Sequence, residues 1–205
     1  CTGVGGFAYG EPPSFQITCY EPRTSVFGVE DPSWYKGGVV YQIFPDRFAR
    51  DANWRERTMQ ALAVPRNGVS RQLVEDWEKV PEYQRDVNGC VTEWDFYGGS
   101  LAGIEEKLPY LEDLGITALY LNPIYAASSN HRYDIADYLE VDPVLGTVED
   151  FERLCVKAAE HGISIILDGV FNHCGADSKY FNKFSNYPES GAVQQAGSVY
   201  DEWFP

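Results

Sequence analysis

Polar side chains follow the apolar run ISIILDGV, residues 163–170, at the point where that run ends. Asp168 stands near its end, and Asn172 and His173 come four and five residues after this aspartate. Carboxylate, amide and imidazole groups at such a place can bind a ligand through hydrogen bonds. The alternative is a buried, hydrogen-bonded pair of Asp168 and His173 that only holds a loop. The spacing Asp-x-x-x-Asn-His matches no recognised transition-metal site, and a hard cation needs more oxygen ligands.

A second polar cluster follows the run ITALYLNPI, residues 116–124. His131 and Tyr133 lie there, in the segment SSNHRYDIADY. Tyr133 could stack on a sugar ring and His131 could donate to a hydroxyl group. Ordinary loop packing is the alternative for each of them. The run GGVVYQIF, residues 37–44, is likewise followed by a polar group, Asp46. Each apolar run therefore leads into groups that are costly to bury.

These three runs are the predicted strands of one sheet, and two amphipathic segments separate them. Residues 100–115 carry Leu or Ile at positions 101, 104, 108, 111 and 114, which is the spacing of one helical face. Pro109 should kink or split this helix. Residues 147–162 form the second predicted helix, with Thr147 as its N-cap. The order strand, helix, strand, helix, strand predicts an α/β fold with parallel βα units.

Two connections between these elements are unusually long. Residues 49–99 separate the first strand from the first helix, and residues 125–146 separate the second strand from the second helix. Long connections in compact domains are usually functional or disordered. Both follow the carboxyl end of a strand, where parallel α/β folds bind their ligands. The sequence therefore predicts a ligand site at this end of the sheet.

Composition limits the class of partner. The net charge of −15 over 205 residues argues against nucleic acid, which needs a basic surface. No apolar run approaches the length of a membrane span, so no membrane partner is expected. The five cysteines are odd in number and contain no Cys-x-x-Cys pair. This usage favours a reducing, cytoplasmic compartment over a disulfide framework or a zinc site.

Several blocks of the sequence, in order, resemble the alpha-amylase family, glycoside hydrolase family 13. They are GGVVYQIFPDRFAR, DFYGGSLAGIEEKLPYLEDLGITALYLNPIY, SSNHRYDIADYLEVDPVLGT and ILDGVFNHCGADSKYFNKFSNYP. The likeness is strongest to the neopullulanase, cyclomaltodextrinase and alpha-glycosidase group. It runs from about residue 34 to residue 205.

The resemblance implies a fold and a domain order. Residues 34–173 would be the first three βα units of a partial (β/α)8 TIM barrel, and residues 174–205 would begin the domain inserted after the third strand. Residues 1–27 would be the end of a preceding β-sandwich, and residues 28–33 a linker. A full barrel takes roughly 250 residues, so the sequence is expected to be a fragment of a longer protein.

The resemblance also implies roles for individual residues. Tyr133 is similar to the aromatic platform under the sugar next to the scissile bond, and His131 lies beside it. His173 is similar to the histidine that hydrogen-bonds this sugar in the transition state. Asp168 is similar to a carboxylate that supports an arginine on a neighbouring strand. Asn172 matches a residue that helps to bind calcium in many amylases.

The activity that the resemblance implies is retaining hydrolysis of α-glucosidic bonds in maltooligosaccharides, cyclodextrins, pullulan or starch-like glucans. The nucleophile and the acid/base, which a retaining glycosidase needs about 5–5.5 Å apart, are expected on later strands, beyond residue 205. This segment alone is therefore expected to be inactive, and the full-length protein could form a homodimer. A non-catalytic, amylase-like module that binds carbohydrate or protein is the alternative.

Calcium is possible in the full-length protein, but this chain departs from one of the calcium-binding sequence patterns of the family. Some members bind calcium through an Asn-Gly-Asp loop after DRF and an Asp after GG. Here Arg50 and Ser100 stand at the matching places. We therefore expect no calcium at that position.

Overall fold

The computed structural model describes residues 37–188, 191–194 and 197–204. The predicted sandwich remnant at 1–27 and the linker at 28–33 lie outside these residues. The described strands are β1 (Val40–Ile43), β2 (Ser70–Leu73), β3 (Glu93–Phe96), β4 (Ala118–Leu121), β5 (Tyr125–Ala127), β6 (Ile135–Val141) and β7 (Ser164–Leu167). The described helices are α1 (Trp54–Ala63), α2 (Leu101–Glu106), α3 (Leu108–Asp113) and α4 (Val148–Glu160).

The three predicted strands form one parallel sheet in the order β1-β4-β7. Val40 pairs with Ala118, and Ala118 pairs with Ser164, so the three strands start in register. β4 lies between the other two and is almost fully buried, as expected for the middle of a sheet covered by helices. The carboxyl ends of all three strands therefore meet at one edge.

The first predicted helix is split, as its proline indicates. α2 ends before Lys107, and Pro109 lies in the first turn of α3, where its missing N–H costs nothing. The leucine and isoleucine residues at 101, 104, 108 and 111 are at most 1% exposed and form the core with the sheet. Leu114 was expected on this face, and that prediction is wrong because α3 ends at Asp113 and Leu114 is 51% exposed at the cap.

The second predicted helix, α4, begins and ends where the sequence indicates. Thr147 accepts a hydrogen bond from the Asp150 N–H, and the Asp150 carboxylate accepts one from the Thr147 N–H. This capping box satisfies two backbone donors of the first turn. Gly162 follows the helix with a φ of 67°, a conformation that glycine adopts without strain. α4 buries Leu154 and Ala158 against the same core.

Both long connections contain regular structure that the sequence pattern did not predict. The first carries α1 and the parallel pair β2–β3, and the second carries the antiparallel pair β5–β6. The strands of the first connection have only four residues each, and two of the four residues in SRQL, the sequence of β2, are charged or amide side chains. Such short, polar strands give little hydrophobic periodicity.

Candidate functional site

Asp168 and Tyr133 meet at the carboxyl edge of the parallel sheet. Asp168 follows β7 directly, and its N–H donates to the Leu121 carbonyl at 3.1 Å, which continues the pairing of β7 with β4. The Tyr133 hydroxyl donates to Asp168 Oδ2 at 2.8 Å. Burial and this hydrogen bond raise the pKa of Tyr133 to about 12, so the phenol stays a donor at neutral pH.

Tyr120 supplies a second phenol to the same carboxylate. It lies on β4, and a hydrogen bond to Asp168, followed by burial, raises the pKa of Tyr120 above its ordinary value. Tyr120 is therefore a second phenol that interacts with the Asp168 carboxylate, beside the Tyr133 hydroxyl that donates to it. No sequence pattern pointed to Tyr120, because it lies inside an apolar strand rather than after its end.

His131 is held in one orientation beside Tyr133. The Tyr133 N–H donates to His131 Nδ1 at 3.0 Å, so this nitrogen is an acceptor. Burial, and then the charge of Arg132, lower the pKa of His131, so the ring is neutral at neutral pH. A neutral imidazole whose Nδ1 accepts carries its hydrogen on Nε2. His131 therefore offers Nε2–H as a hydrogen-bond donor.

Arg132, between the two site residues, fixes the backbone of this loop. It is fully buried and has a φ of 60°, which is uncommon for a residue with a side chain. Its Nε donates to Asp142 Oδ2 at 2.7 Å, and its Nη1 donates to the Asn130 carbonyl at 2.7 Å. The loop is thus tied to the segment after β6, and its two neighbours, His131 and Tyr133, are presented together.

Asp134 and Ser129 close the same loop. The Ser129 N–H donates to Asp134 Oδ2 at 3.1 Å, and the Ser129 hydroxyl donates to Asp134 Oδ1. Burial raises the pKa of Asp134 to about 6, although the hydrogen bonds from Ser129 oppose this shift. Asp134 is therefore a structural residue of the loop.

Asp46, which follows β1, also has a structural role. It is fully buried, and its carboxylate accepts hydrogen bonds from the Tyr97 N–H at 3.0 Å and the Gly98 N–H at 3.3 Å. Burial raises the pKa of Asp46 to about 6. Gly99 is needed beside it, because a Cβ atom there would lie 2.1 Å from the Pro45 carbonyl oxygen. Asp46 thus holds the end of the first long connection in place.

The structure places His173 and Asn172 apart from this group. Both side chains are exposed, and His173 Nδ1 lies 3.3 Å from Asn172 Nδ2. They line an aromatic cavity of about 610 Å³ with Tyr138, Phe171 and Trp203, whose lining does not include His131, Tyr133 or Asp168. The structure thus brings three of the predicted ligand-binding residues together and places His173 in the lining of the aromatic cavity instead.

Asp51 lies beside Arg50 and Ser100, the two residues that depart from the calcium-binding pattern of the family. Its carboxylate accepts from Arg57 Nη1 at 3.1 Å and from the Ser100 hydroxyl at 2.8 Å. Burial raises its pKa, but the hydrogen bonds from Arg57, Ser100 and the Asn53 N–H outweigh burial and hold the pKa of Asp51 at about 2. Throughout residues 37–188, 191–194 and 197–204, no group of three or more His, Cys, Asp or Glu side chains is placed to hold a metal ion.

A parallel sheet with helices between its strands, whose carboxyl edge presents a phenol, an imidazole and a carboxylate, belongs to the class of α/β domains that bind ligands at this edge. The family model described as "Alpha amylase, catalytic domain" matches residues 42–204. The chain therefore belongs to the alpha-amylase family, in its catalytic domain.

Relatives in this family share more than a third of their residues with the chain over the matched region. An amylopullulanase from Thermoanaerobacterium saccharolyticum is 42% identical over 93% of this chain and 15% of its own length. Neopullulanase 2 from Thermoactinomyces vulgaris is 40% identical over 90% of this chain and 26% of its own length. The chain thus spans about a quarter or less of these two relatives.

A solved structure has the same fold over most of the chain. It is the cyclic alpha-maltosyl-(1→6)-maltose hydrolase from Arthrobacter globiformis in complex with cyclic alpha-maltosyl-(1→6)-maltose. It is 35% identical, with a TM-score of 0.63 over 86% of this chain and 33% of that one. Among the described helices of the present chain, none is long and apolar enough to cross a membrane.

Proposed function

We propose that this chain is the first part of an enzyme that hydrolyses α-glucosidic bonds in maltooligosaccharides, cyclodextrins, pullulan or starch-like glucans. The observation that carries the proposal is the contact between the Tyr133 hydroxyl and Asp168, beside the oriented His131, in a chain of the alpha-amylase family. The names of the relatives, an amylopullulanase and a neopullulanase, support this class of substrate.

Each of the grouped residues has a role in this proposal. The ring of Tyr133 forms the apolar platform under one glucose unit. His131 donates from Nε2–H to a hydroxyl group of that unit. Asp168 fixes the tilt of the platform through the Tyr133 hydroxyl, and it is the carboxylate that would receive an arginine from a neighbouring strand. His173 approaches the same glucose unit from the aromatic cavity.

The sheet is, in this proposal, the first three βα units of a (β/α)8 barrel, with an inserted domain beginning at residue 174. The support is the exposure of β7, whose four residues are all half-buried, whereas β4 beside it is almost fully buried. A further strand paired to β7 would cover it. The two carboxylates of a retaining glycosidase would stand on such later strands, so this segment binds the sugar and does not cleave it alone.

We also propose a cytoplasmic location and a homodimer for the longer protein. Cys90, Cys155 and Cys174 are free thiols in the described part of the chain, which suits a reducing compartment. The homodimer depends on the likeness to the neopullulanase group. Size-exclusion chromatography with light scattering on the protein from the complete gene tests it.

The protein from the complete gene should be assayed on maltotriose, pullulan and β-cyclodextrin, with ¹H NMR to follow the anomeric form of the first product. We expect cleavage with retention, and loss of activity in Tyr133→Ala. Binding of these glucans without any cleavage would instead identify a non-catalytic carbohydrate-binding module. If the protein neither binds nor cleaves any of these glucans, the proposal is refuted.

A further inference from the structure

A row of aromatic rings continues from Tyr133 away from Asp168. The ring centroids of Tyr133 and His131 are 6.0 Å apart, and those of His131 and Trp94 are 4.8 Å apart. The row goes on to Tyr83, whose ring centroid is 5.5 Å from that of Trp94. Trp94 lies on β3 and Tyr83 precedes it in the first long connection. The connection therefore reaches the site with two aromatic rings.

The position of Trp94 next to His131 is fixed by the backbone on both sides. Asp95 and Phe96, which follow Trp94 on β3, are fully buried. The Asn130 side chain, next to His131 in sequence, donates to the Asp95 carbonyl at 2.8 Å. This hydrogen bond ties the loop of His131 directly to β3, so Trp94 and His131 cannot separate without breaking a buried contact.

The outer end of the row is open to solvent. Tyr83 is 42% exposed, Trp94 is half-buried, and the Tyr83 hydroxyl accepts from Arg47 Nη2 at 3.3 Å. Core packing explains Trp77 of the same connection, which lies against Tyr97 and the guanidinium of Arg50. It does not explain a row that begins at the candidate sugar platform and ends in solvent. The plane of Trp94 is nearly perpendicular to those of His131 (86°) and Tyr83 (75°), so the row turns at Trp94. An accessible face of each ring suits the apolar face of one sugar unit.

We propose that Trp94 and Tyr83 form a further carbohydrate-binding position, which extends the site beyond the glucose unit on Tyr133 and makes it select longer α-glucans. This inference rests on the proposed function. The His131 ring lies between those of Tyr133 and Trp94, so the glucose unit to which His131 donates is the one next to the proposed position. The first long connection is therefore a specificity element, and α1 with the β2–β3 pair is the scaffold that supports it.

The test is the dependence of binding on chain length, measured by calorimetry on the protein from the complete gene. The ligands are maltose, maltotriose and maltohexaose with sulfur in place of the glycosidic oxygen, so that the enzyme does not cleave them during the titration. Trp94→Ala should weaken maltohexaose binding by about tenfold, as for loss of one aromatic anchor, and change maltose binding by less than about twofold. Tyr83→Ala should act in the same direction. Tyr110→Ala, which removes a tyrosine that is 54% exposed on α3, is the matched control.

Equal weakening for all three sugars in Trp94→Ala would overturn the inference, since it would mean that Trp94 only positions His131. No weakening for any sugar would overturn it as well. Trp94→Phe keeps a ring in place if the alanine variant fails to fold, and it should retain part of the preference for maltohexaose. If the unsubstituted protein binds no glucan of any length, the proposed function itself fails, which is a different result from an unchanged length dependence.

Discussion

The Tyr133 hydroxyl donates to Asp168 Oδ2 at 2.8 Å and so joins two parts of the chain that are 35 residues apart. Tyr133 belongs to the connection after β4, and Asp168 ends β7. Because β4 and β7 are neighbours in the sheet, their polar ends meet at one edge. The hydrogen bond therefore fixes the orientation of the phenol ring that we propose as the sugar platform.

Tyr133→Phe tests this hydrogen bond separately from the ring. Phenylalanine keeps the apolar ring but removes the hydroxyl that donates to Asp168. A hydrogen bond to a charged group contributes about 1.5–3 kcal/mol, so we expect kcat/KM on maltotriose to fall by at least about tenfold. Tyr110→Phe on α3 is the control. Equal kinetics in Tyr133→Phe and the unsubstituted protein would show that only the ring matters.

The pH dependence of glucan binding should report on His131. Because burial lowers its pKa, the folded protein protonates this ring only below the ordinary value of about 6.5. Protonation places a hydrogen on Nδ1, where the Tyr133 N–H now donates. The affinity for glucan should therefore be constant above pH 7 and fall as the pH drops below about 6.5. The unfolded chain takes up this proton first, so the contribution of His131 to stability falls over the same window. Asp46 and Asp134, whose pKa values burial raises to about 6, contribute with the opposite sign there, because the folded protein takes up their protons first.

Three variants assign the acid limb of that profile, measured by calorimetry between pH 5 and pH 8. His131→Asn keeps an acceptor for the Tyr133 N–H and should remove the limb that belongs to the histidine. Asp134, with a pKa of about 6 and its Oδ1 4.0 Å from His131 Nδ1, titrates nearby, so Asp134→Asn separates its contribution. His161→Gln, at the end of α4, should leave the profile as it is. An acid limb in His131→Asn that equals the limb of the unsubstituted protein would contradict the assignment.

Two arginines on α1 form ion pairs that differ in burial, so their contributions to stability can be compared. Arg57 pairs with Asp51, and their side chains are 19% and 8% exposed, whereas Arg55 and Glu75 are 55% and 59% exposed. Removing one partner of a buried pair leaves an uncompensated charge and costs about 3 kcal/mol or more. An exposed pair contributes at most about 1 kcal/mol.

Arg57→Met should therefore lower the free energy of unfolding, measured in guanidinium chloride, by about 3 kcal/mol. Arg55→Met should lower it by less than about 1 kcal/mol. In the family pattern calcium binds in this region, so unfolding should also be measured with EDTA and with added calcium, and we expect no difference. Similar losses in the two arginine variants, or a stabilisation by calcium, would contradict this account of Asp51.

The sequence predicted the parts of the fold that depend on residues close together in the chain. Hydrophobic spacing predicted α2, α3 and α4, Pro109 predicted the break between α2 and α3, and Thr147 predicted the start of α4. The contact of Trp94 with His131 joins residues 37 positions apart in the chain, and no local pattern encodes it. Arg132 is similar: its side chain type gives no hint that it is buried with a φ of 60°. Both features are consequences of tertiary packing.

The site residues divide in the same way. Tyr133, His131 and Asp168 could be predicted because each follows an apolar run, and strand ends meet at one edge of a parallel sheet. Tyr120 could not, because a tyrosine within a strand fits ordinary burial as well as it fits a hydrogen bond to Asp168. Asp46 follows a strand too, but here burial and backbone partners give it a structural role. Position after a strand therefore selects candidates without assigning their roles.

His173 provides the sharpest test of the catalytic proposal, because its side chain is exposed and has few protein contacts. Replacing an exposed residue changes stability by only about 0.5 kcal/mol, so His173→Ala should melt at nearly the same temperature as the unsubstituted protein. If His173 donates to the sugar as charge develops in the transition state, its loss should lower kcat by roughly 10²–10³. Turnover of maltotriose and pullulan by the protein from the complete gene measures this, with His161→Ala as the control histidine.

Because the imidazole would bind the transition state better than the ground state, KM should change much less than kcat. An unchanged kcat would rule out the role of His173, and a raised KM with unchanged kcat would make it a binding residue alone.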